Sequence, residues 1–301
     1  MGTSYAVSFV GEVDLDALAA KIHAAVDGVD CQMSNWKPDS DVSRFNRAAV
    51  GEWVDVSADL AFVVGEGLKI AEQTGGAFDM TIGPILALWG FGPARVLGRQ
   101  PTDEALNAAA DLCGFEHIVL RAGPPALRKS GPCTLDLCGI AKGFGVDKIV
   151  QVIEEEGICD YLVAIDGEVR LRGTKGFEPW SVALEAPLIE RREAWDILQP
   201  PVCAIATSGD YRKIRYIGDE RFSHTIDPRT HRPTDGRLAS VTVIAESCMI
   251  SDAWATALMV LGPEQGVALA QKLGLSTLFL VRNGAQIDDH MTGHFAAFIG
   301  G

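Results

Sequence analysis

The segment 223–258 contains the residues whose types and spacing most clearly indicate chemistry. His224 precedes Asp227 by three positions, and Asp252 precedes Thr256 by four. Residues four apart on a helix share one face, so the Asp252 carboxylate and the Thr256 hydroxyl could reach the same small cation. Both groups offer hard oxygen donors, which suit Mg²⁺. The spacing therefore predicts a magnesium site on a helix.

Each of these pairs also has a purely structural explanation. Ser251 or Asp252 could cap a helix, with Thr256 bonding back to the preceding turn. His224 beside Asp227 could serve as a general acid or base near neutral pH, or the two could form an ordinary loop hydrogen bond. The residues of this segment alone leave both alternatives open.

A second segment, 135–143, has the sequence LDLCGIAKG and indicates a site for an anion. A strand that ends in a glycine turn before a helix presents free backbone N–H groups, and Lys142 adds a positive charge. Lys142 could also be a solvated lysine beside a tight turn, and Asp136 could either close the turn or bind a ligand. The chain has neither a Walker A sequence nor a Gly-x-Gly-x-x-Gly turn, so the two commonest phosphate-binding motifs are excluded.

The elements that must position these segments follow from hydrophobic periodicity and helix caps. Strands are predicted at 5–10, 161–173, 180–185, 240–245 and 277–281, with 240–245 half-buried. Helices are predicted at 14–26, from the Ser57 cap to Gln73, at 103–113, before Gly157, from Asp252 onwards, and from Pro263 to Gly274 after a break at Gly262.

Three connecting segments carry no regular pattern. The polar segment 33–46 is predicted to be a loop, and 187–200 a surface excursion. The run 77–92 is apolar but follows neither a helix nor a strand period, which is typical of a pocket lining or of a buried connection. Hairpin-like strands with inserted helices predict an α+β fold.

Composition excludes several classes of protein. The 301 residues, 48% hydrophobic and 22% charged, indicate a globular protein, and the net charge of −14 argues against a nucleic-acid partner. No apolar run is long enough for a transmembrane helix, and the first residues lack the pattern of a signal peptide. We therefore expect a cytoplasmic protein, or a periplasmic one if a targeting segment was removed. The seven cysteines, without a Cys-x-x-Cys pair, are expected to be small buried thiols.

Seven sequence blocks resemble, in order and spacing, the FAD:protein FMN transferase family (ApbE family). They span nearly the whole chain and read MGTSY, MSNWKPDSDVSRFN, GGAFDMTIGP with LWGF, LDLCGIAKGFGVD, ATSGDY, SHTIDPRTHRP and SDAWATAL. The resemblance implies a single catalytic domain over residues 1–301, with an α+β fold of antiparallel or mixed sheets flanked by helices. It also implies two intertwined sub-domains with FAD in the cleft between them, whose boundary the sequence does not assign.

The resemblance implies roles for individual residues in binding FAD. The flavin would be contacted by Met1 and by Trp36, which stands where the family commonly has Tyr. The adenosine end or the ring system would be bound by Ala77, Phe78 and Asp79. Further parts of FAD would be bound by Asp136 and Lys142.

The resemblance also implies a metal site and catalytic residues. Mg²⁺ at the pyrophosphate would be held by Asp252, by Thr256 and by a backbone carbonyl, which we place at Gly139. His224 matches the family histidine implicated in catalysis, and Asp252 would share the catalytic role through the metal.

The function implied is Mg²⁺-dependent transfer of FMN from FAD to a Thr or Ser hydroxyl of an acceptor flavoprotein. The product is a phosphoester-linked flavin, and AMP is released. Hydrolysis of FAD to FMN and AMP would use the same residues. A third alternative, flavin binding without catalysis, is disfavoured by the Asp252/Thr256 pair, because storage would not need a metal at the bond that is cleaved. The partners expected are therefore FAD and an acceptor protein.

The chain departs from the family pattern at two places. The usual Gly-Gly-Asp after the central strand is Asp166-Gly167-Glu168 here, and His231 occupies the glycine position of the D-P-x-T-G block. Neither change removes a proposed ligand, but both are expected to reshape a loop near the site.

Overall fold

The structure is a computed structural model that describes residues 2–91, 100–188, 191–212, 214–217, 220–284 and 286–299. Met1, which the sequence analysis places against the flavin, lies outside the described residues. None of the helices in these ranges combines the length and the apolar character that crossing a membrane requires.

The described residues form seven α-helices. In chain order they are α1 (Leu15–Met33), α2 (Asp41–Arg47), α3 (Ala58–Gln73), α4 (Gly83–Leu88), α5 (Asp103–Ala110), α6 (Ala141–Glu155) and α7 (Cys248–Leu273). Within α7 the backbone departs from helical geometry at Gly262, immediately before Pro263, so α7 is two helices joined at a kink.

Eighteen strands alternate with these helices in the described ranges. The first nine are β1 (Tyr5–Val10), β2 (Trp53–Asp55), β3 (Ile118–Arg121), β4 (Ala126–Lys129), β5 (Asp160–Ile165), β6 (Glu168–Arg172), β7 (Thr174–Lys175), β8 (Glu178–Pro179) and β9 (Val182–Glu185). The rest are β10 (Ala194–Leu198), β11 (Val202–Gly209), β12 (Ile214–Ile217), β13 (Glu220–Ser223), β14 (Ile226–Asp227), β15 (Arg232–Pro233), β16 (Leu238–Ala245), β17 (Ser276–Asn283) and β18 (Gln286–Thr292).

The chain divides into two compact units whose segments alternate along the sequence. The first unit comprises Met1–Gly28, Lys142–Arg212 and Asp235–Gly301, and the second comprises Val29–Ala141 and Lys213–Thr234. Each unit is described here by itself.

The first unit is built on a seven-stranded sheet. Its strand order is β1-β5-β6-β11-β16-β17-β18, and every neighbouring pair is antiparallel. Both faces of the sheet are covered: Ala204 packs with residues of α1 and α6, whereas its neighbour Ile205 packs on the opposite side with Trp180 and Phe295. Because both faces are buried, seven of the eight residues of β16 are buried. The expectation of a half-buried strand there was wrong.

The second unit combines short helices with a small sheet. The strands β2, β4 and β3 form a three-stranded antiparallel sheet, and β12 and β13 form a hairpin. A hydrophobic cluster joins α4 and α5 to the segment 213–234 through Ile85, Trp89, Leu106 and Ile226. This unit therefore has a core of its own.

Several predicted elements are confirmed, and others differ for local reasons. Ser57 caps α3 with its side chain, and Gly274 ends α7 in the left-handed conformation. The predicted loop 33–46 was wrong in its second half, because Ser40 accepts a hydrogen bond from the Ser43 N–H and starts α2. The irregular run 77–92 contains α4, with Pro84 in its first turn.

Two further expectations need correction. The surface excursion 187–200 contains β10, which pairs with β9. The cysteines are not uniformly buried: Cys31, Cys138 and Cys159 are exposed, because they lie on the outer face of a helix or beside turns. No shared period marks such positions in the sequence.

Candidate active site

Asp252 lies inside α7, not at its start. The helix begins at Cys248, with Ser247 as the N-cap, so Asp252 is one turn further on and is 3% exposed. The Ser251 hydroxyl donates to the carbonyls of Ala204 and Ser247. The alternative in which Ser251 or Asp252 caps the helix was therefore wrong, which leaves the Asp252 carboxylate available for another purpose.

The start of α7 is capped from another helix. Asp147 of α6 accepts hydrogen bonds from the Cys248 N–H (3.1 Å), the Met249 N–H (2.9 Å) and the Ser247 hydroxyl (2.8 Å). The first N–H groups of a helix have no partner within the helix, and a carboxylate is the acceptor that the helix dipole favours there. Asp147 thus fixes the end of α7 that leads to Asp252.

We expect Asp147→Ala to lower the free energy of unfolding by about 1–3 kcal/mol, because it leaves buried donors without an acceptor. Ser247→Ala removes only the hydroxyl from the same cap, so its loss should be smaller. Urea denaturation followed by circular dichroism measures both. Equal stability of Asp147→Ala and the parent protein would contradict a capping role.

Two carboxylates and one lysine meet near the start of α6. The Lys142 ammonium pairs directly with Glu168 Oε1 and lies 3.6 Å from Asp252 Oδ1. The Gly143 N–H donates to Asp252 Oδ2 at 3.0 Å. This N–H belongs to the first turn of α6, where backbone donors need an outside acceptor. Asp252 therefore joins α7 to the N-terminus of α6.

Burial and mutual charge set the protonation of this cluster. Burial raises the pKa of Glu168 to about 7, helped by the charge of Asp252 and opposed by Lys142. Burial also raises the pKa of Asp252, against the opposing effects of Lys142 and the Gly143 N–H. For Lys142, burial alone lowers the pKa, but Asp252 and Glu168 together raise it above its usual value. Lys142 is thus a firmly protonated cation.

Thr256 lies one turn beyond Asp252 and is only partly buried. Its hydroxyl is 3.4 Å from that of Ser208, at the end of β11. On the same strand Thr207 shares a hydrogen bond of 2.9 Å with Thr242 of β16. The ATSGDY block therefore places one hydroxyl group, that of Ser208, beside Thr256.

In the second unit, Asp136 is held by its backbone and closes a turn. Its N–H donates to the Met80 carbonyl at 2.6 Å, and its Oδ1 accepts from the Cys138 N–H at 3.0 Å. The preceding residue, Leu135, is fixed by the side-chain amide of Asn46, which accepts from its N–H and donates to its carbonyl. The residues that lead into the turn at Gly139 are thereby anchored.

The predicted FAD-binding residues 77–79 lie in the same unit. Ala77 and Phe78 are buried. Asp79 Oδ1 accepts from both the N–H (2.7 Å) and the hydroxyl (2.6 Å) of Thr81. Burial raises the pKa of Asp79, although the hydrogen bonds from Thr81 oppose the change. The carboxylate is consequently fixed in one orientation.

Trp36 and His224 differ in their surroundings. The Trp36 side chain is 74% exposed, and an exposed indole ring can stack on a flat ligand. His224 follows β13 and contacts the edge of Phe91, with ring centroids 6.3 Å apart. Both carboxylate oxygens of Asp227 accept hydrogen bonds from Arg229. The sequence spacing of His224 and Asp227 did not predict that Asp227 pairs with Arg229.

The two departures from the family pattern share one backbone property. Asp166 (φ 53°) and His231 (φ 61°) are the non-glycine residues with positive φ among those described. Left-handed backbone favours glycine, so both positions keep a glycine-like conformation at a cost in strain. At His231 the carbonyl accepts a hydrogen bond from the Trp89 indole at 2.9 Å, which helps to hold it.

The oxygen atoms of Asp252 and Thr256 are of the kind that binds a hard divalent cation. Within the ranges described, no group of three or more His, Cys, Asp and Glu side chains is arranged to hold a metal ion. The predicted site is different, because it combines one carboxylate, one hydroxyl and one backbone carbonyl. Asp252 Oδ1 and the Thr256 hydroxyl supply two such oxygens from one helix, which suits Mg²⁺. Gly139 belongs to the other unit, and its share in the site stays a prediction.

Four contributors to this arrangement were missed by sequence reasoning. They are Asn46, Asp147, Ser208 and Glu168. All four lie inside the blocks or departures already quoted, but nothing in their spacing indicates the distant partners that they contact.

Comparison with known proteins identifies the family of the chain. The model of the ApbE family matches residues 1–279. A protein of Vibrio cholerae named FAD:protein FMN transferase is 39% identical over 304 residues, which cover 99% of this chain and 90% of that protein. A protein of Klebsiella pneumoniae with the same name is 36% identical, over 100% of this chain and 88% of that protein.

Solved structures resemble this fold over nearly the whole chain. The flavin transferase ApbE from Vibrio cholerae has a TM-score of 0.91 at 38% identity, with 99% of this chain and 96% of that chain covered. The apo form of the Pseudomonas stutzeri flavinyl transferase ApbE has a TM-score of 0.91 at 36% identity, with 100% and 95% covered. The predicted α+β fold is thereby confirmed, and the chain belongs to the ApbE family.

Proposed function

We propose that this protein transfers FMN from FAD to a hydroxyl of an acceptor protein and releases AMP. The observation that carries the proposal is the buried Asp252 carboxylate, held by the Gly143 N–H and followed one turn later by Thr256. The relatives named FAD:protein FMN transferase support the choice of substrate and the need for a protein acceptor. The acceptor residue, Thr or Ser, is part of the proposal.

The first unit would hold the metal. Asp252 and Thr256 of this unit would bind Mg²⁺, and the further donor expected from the resemblance, a backbone carbonyl at Gly139 of the second unit, stays a prediction. When bound, the ion would draw negative charge from the pyrophosphate oxygens of FAD. Lys142 would add a second positive charge, and its raised pKa keeps it protonated at neutral pH.

The second unit would contribute residues that orient FAD. Trp36 would stack on the flavin, since its ring is exposed. Ala77, Phe78 and Asp79 would bind the adenosine end or the ring system, and Asp136 another part of FAD. The hydrogen bonds that fix Asp79 and Asp136 favour such a role, because prepositioned groups lose little freedom on binding.

The chemical step needs an acceptor for one proton. The acceptor hydroxyl oxygen forms a bond to the FMN phosphorus, the bond from that phosphorus to the AMP oxygen breaks, and AMP leaves. We assign the proton of the attacking hydroxyl to His224, because imidazole is the side chain that most often serves as a general base near neutral pH. Positioning and charge stabilisation would supply the rest of the rate enhancement.

One experiment tests the function. The purified protein is incubated with FAD, Mg²⁺ and a candidate acceptor flavoprotein prepared without its flavin. We expect flavin fluorescence on the acceptor band after denaturing electrophoresis, together with released AMP. Rapid AMP release without any acceptor would mean FAD hydrolysis instead, and bound flavin without AMP would mean a non-catalytic flavin-binding protein.

We expect His224→Gln to slow flavin transfer by roughly 10²–10⁴-fold, the usual contribution of a general base. His290→Gln, at an exposed position of β18, is the matched control and should leave the rate unchanged. The rate of fluorescent product formation is measured at saturating FAD and Mg²⁺. Full activity of His224→Gln would assign the proton to another group.

A further inference from the structure

Lys142 lies between two buried carboxylates but is much closer to one of them. Its ammonium pairs directly with Glu168 Oε1, whereas the distance to Asp252 Oδ1 is 3.6 Å. The side chains of Glu168 and Asp252 are 5% and 4% exposed, and that of Lys142 is 22% exposed. Glu168 lies in β6, Asp252 in α7 and Lys142 in α6. The packing of these three elements therefore fixes the two distances.

The distances show which oxygen atoms are engaged. Asp252 Oδ2 accepts the Gly143 N–H, but Asp252 Oδ1 is too far from the ammonium for an ordinary hydrogen bond. Glu168 Oε2 is buried without a hydrogen-bond partner among the described residues. Its contact with Lys142 is therefore the polar interaction that holds the Glu168 carboxylate.

The difference between the two distances from the Lys142 ammonium matters for a cation at Asp252. An ammonium that hydrogen-bonds a carboxylate occupies the lone pairs that a metal ion needs, and it repels the ion. A direct bond between Lys142 and Asp252 would therefore compete with metal binding. Glu168 offers the ammonium a better partner in a region where an unpaired charge is costly.

We propose that Glu168 is a positioning residue that holds the Lys142 ammonium beyond hydrogen-bond distance of Asp252 Oδ1 and so leaves that oxygen open for a divalent cation. The inference rests on the metal site of the proposed function and adds a residue to it.

The test measures Mg²⁺ binding by the full-length protein without FAD, by isothermal titration calorimetry. Glu168→Gln keeps the shape of the side chain but offers Lys142 no charge, so the ammonium should move to Asp252. We expect Mg²⁺ affinity to fall roughly tenfold, the size of one charge-assisted hydrogen bond. Glu168→Asp keeps the charge and should retain most of the affinity.

A second substitution separates positioning from simple loss of charge. In the Glu168→Gln background, Lys142→Met removes the competing ammonium, so Mg²⁺ affinity should recover most of the loss. In flavin transfer, Glu168→Gln should raise the Mg²⁺ concentration that gives half-maximal rate far more than it lowers the rate at saturating Mg²⁺. A structural defect alone would lower the saturated rate and would not be corrected by Lys142→Met.

Three results would overturn the inference. The first is that Glu168→Gln binds Mg²⁺ as tightly as the parent protein, and the second is that Lys142→Met fails to restore affinity in that background. If Glu168→Gln does not fold, a crystal structure of the unaltered protein with Mg²⁺ decides: Lys142 bonded to Asp252 overturns the inference, and Lys142 bonded to Glu168 with Asp252 on the ion supports it. Mg²⁺-dependent transfer by the parent protein stands whichever result is found, whereas a parent protein that binds no Mg²⁺ loses both proposals.

Discussion

Asp252→Asn is expected to abolish Mg²⁺-dependent flavin transfer. The substitution keeps the shape of the side chain and the oxygen that accepts the Gly143 N–H, but it removes the charge that would hold the metal. A ligand that binds only the folded state stabilises it, so Mg²⁺ should raise the melting temperature of the parent protein and not of Asp252→Asn. Transfer is measured as acceptor fluorescence, and binding as the thermal shift.

Glu264→Gln is the matched control for this experiment. Glu264 lies in the second part of α7, beyond the kink, and the substitution removes the same charge, but its side chain is 68% exposed and pairs with Arg237. Activity and the Mg²⁺-induced thermal shift should both remain. Transfer by Asp252→Asn at the parent rate would remove the metal assignment.

Gly143→Ala is expected to lower both stability and activity. A Cβ atom at this position would lie 2.3 Å from the Cys248 carbonyl oxygen and 2.7 Å from the Met249 Cα, both backbone atoms at the start of α7. Relief requires that α6 and α7 move apart, which also lengthens the hydrogen bond from the Gly143 N–H to Asp252. Forcing extra volume into a packed interior costs about 1–3 kcal/mol.

A second helical glycine offers a control for Gly143. A Cβ at Gly28 in α1 meets nothing within 4 Å, so Gly28→Ala should leave the free energy of unfolding unchanged or raise it by about 0.5–1 kcal/mol. Urea denaturation of both variants gives the comparison. If Gly143→Ala has the same stability and Mg²⁺ affinity as the parent protein, α6 and α7 need not pack this closely.

Elements that depend on local residues could be predicted from the sequence. The Ser57 cap of α3 and the end of α7 at Gly274 need only neighbouring residues, and both are confirmed. The helix α2 was missed because its seven residues carry too short a period, and its cap lies among other turn-forming residues. The start of α7 was placed four residues late because the capping carboxylate, Asp147, is a hundred positions away.

The candidate site shows the same division between local and distant information. The spacing of Asp252 and Thr256 is a local property, and it correctly placed both on one helix. The environment of Lys142 is not local: the sequence suggested a lysine facing an anion or solvent, whereas the structure surrounds it with Glu168 and Asp252. The sequence singled out Glu168 only as a departure from the family pattern, and that departure does not indicate that Glu168 pairs with Lys142.

The position of β16 links the candidate metal site to the slowest motions of the first unit. This strand has neighbours on both sides, is buried along nearly its whole length, and leads through two residues into the helix that carries Asp252. Its amide hydrogens should exchange with solvent only when the unit opens globally. We expect Asp252, on the helix that follows this strand, to keep its place until the unit opens, so heat should inactivate the protein over the same temperature range in which the protected amides of β16 begin to exchange.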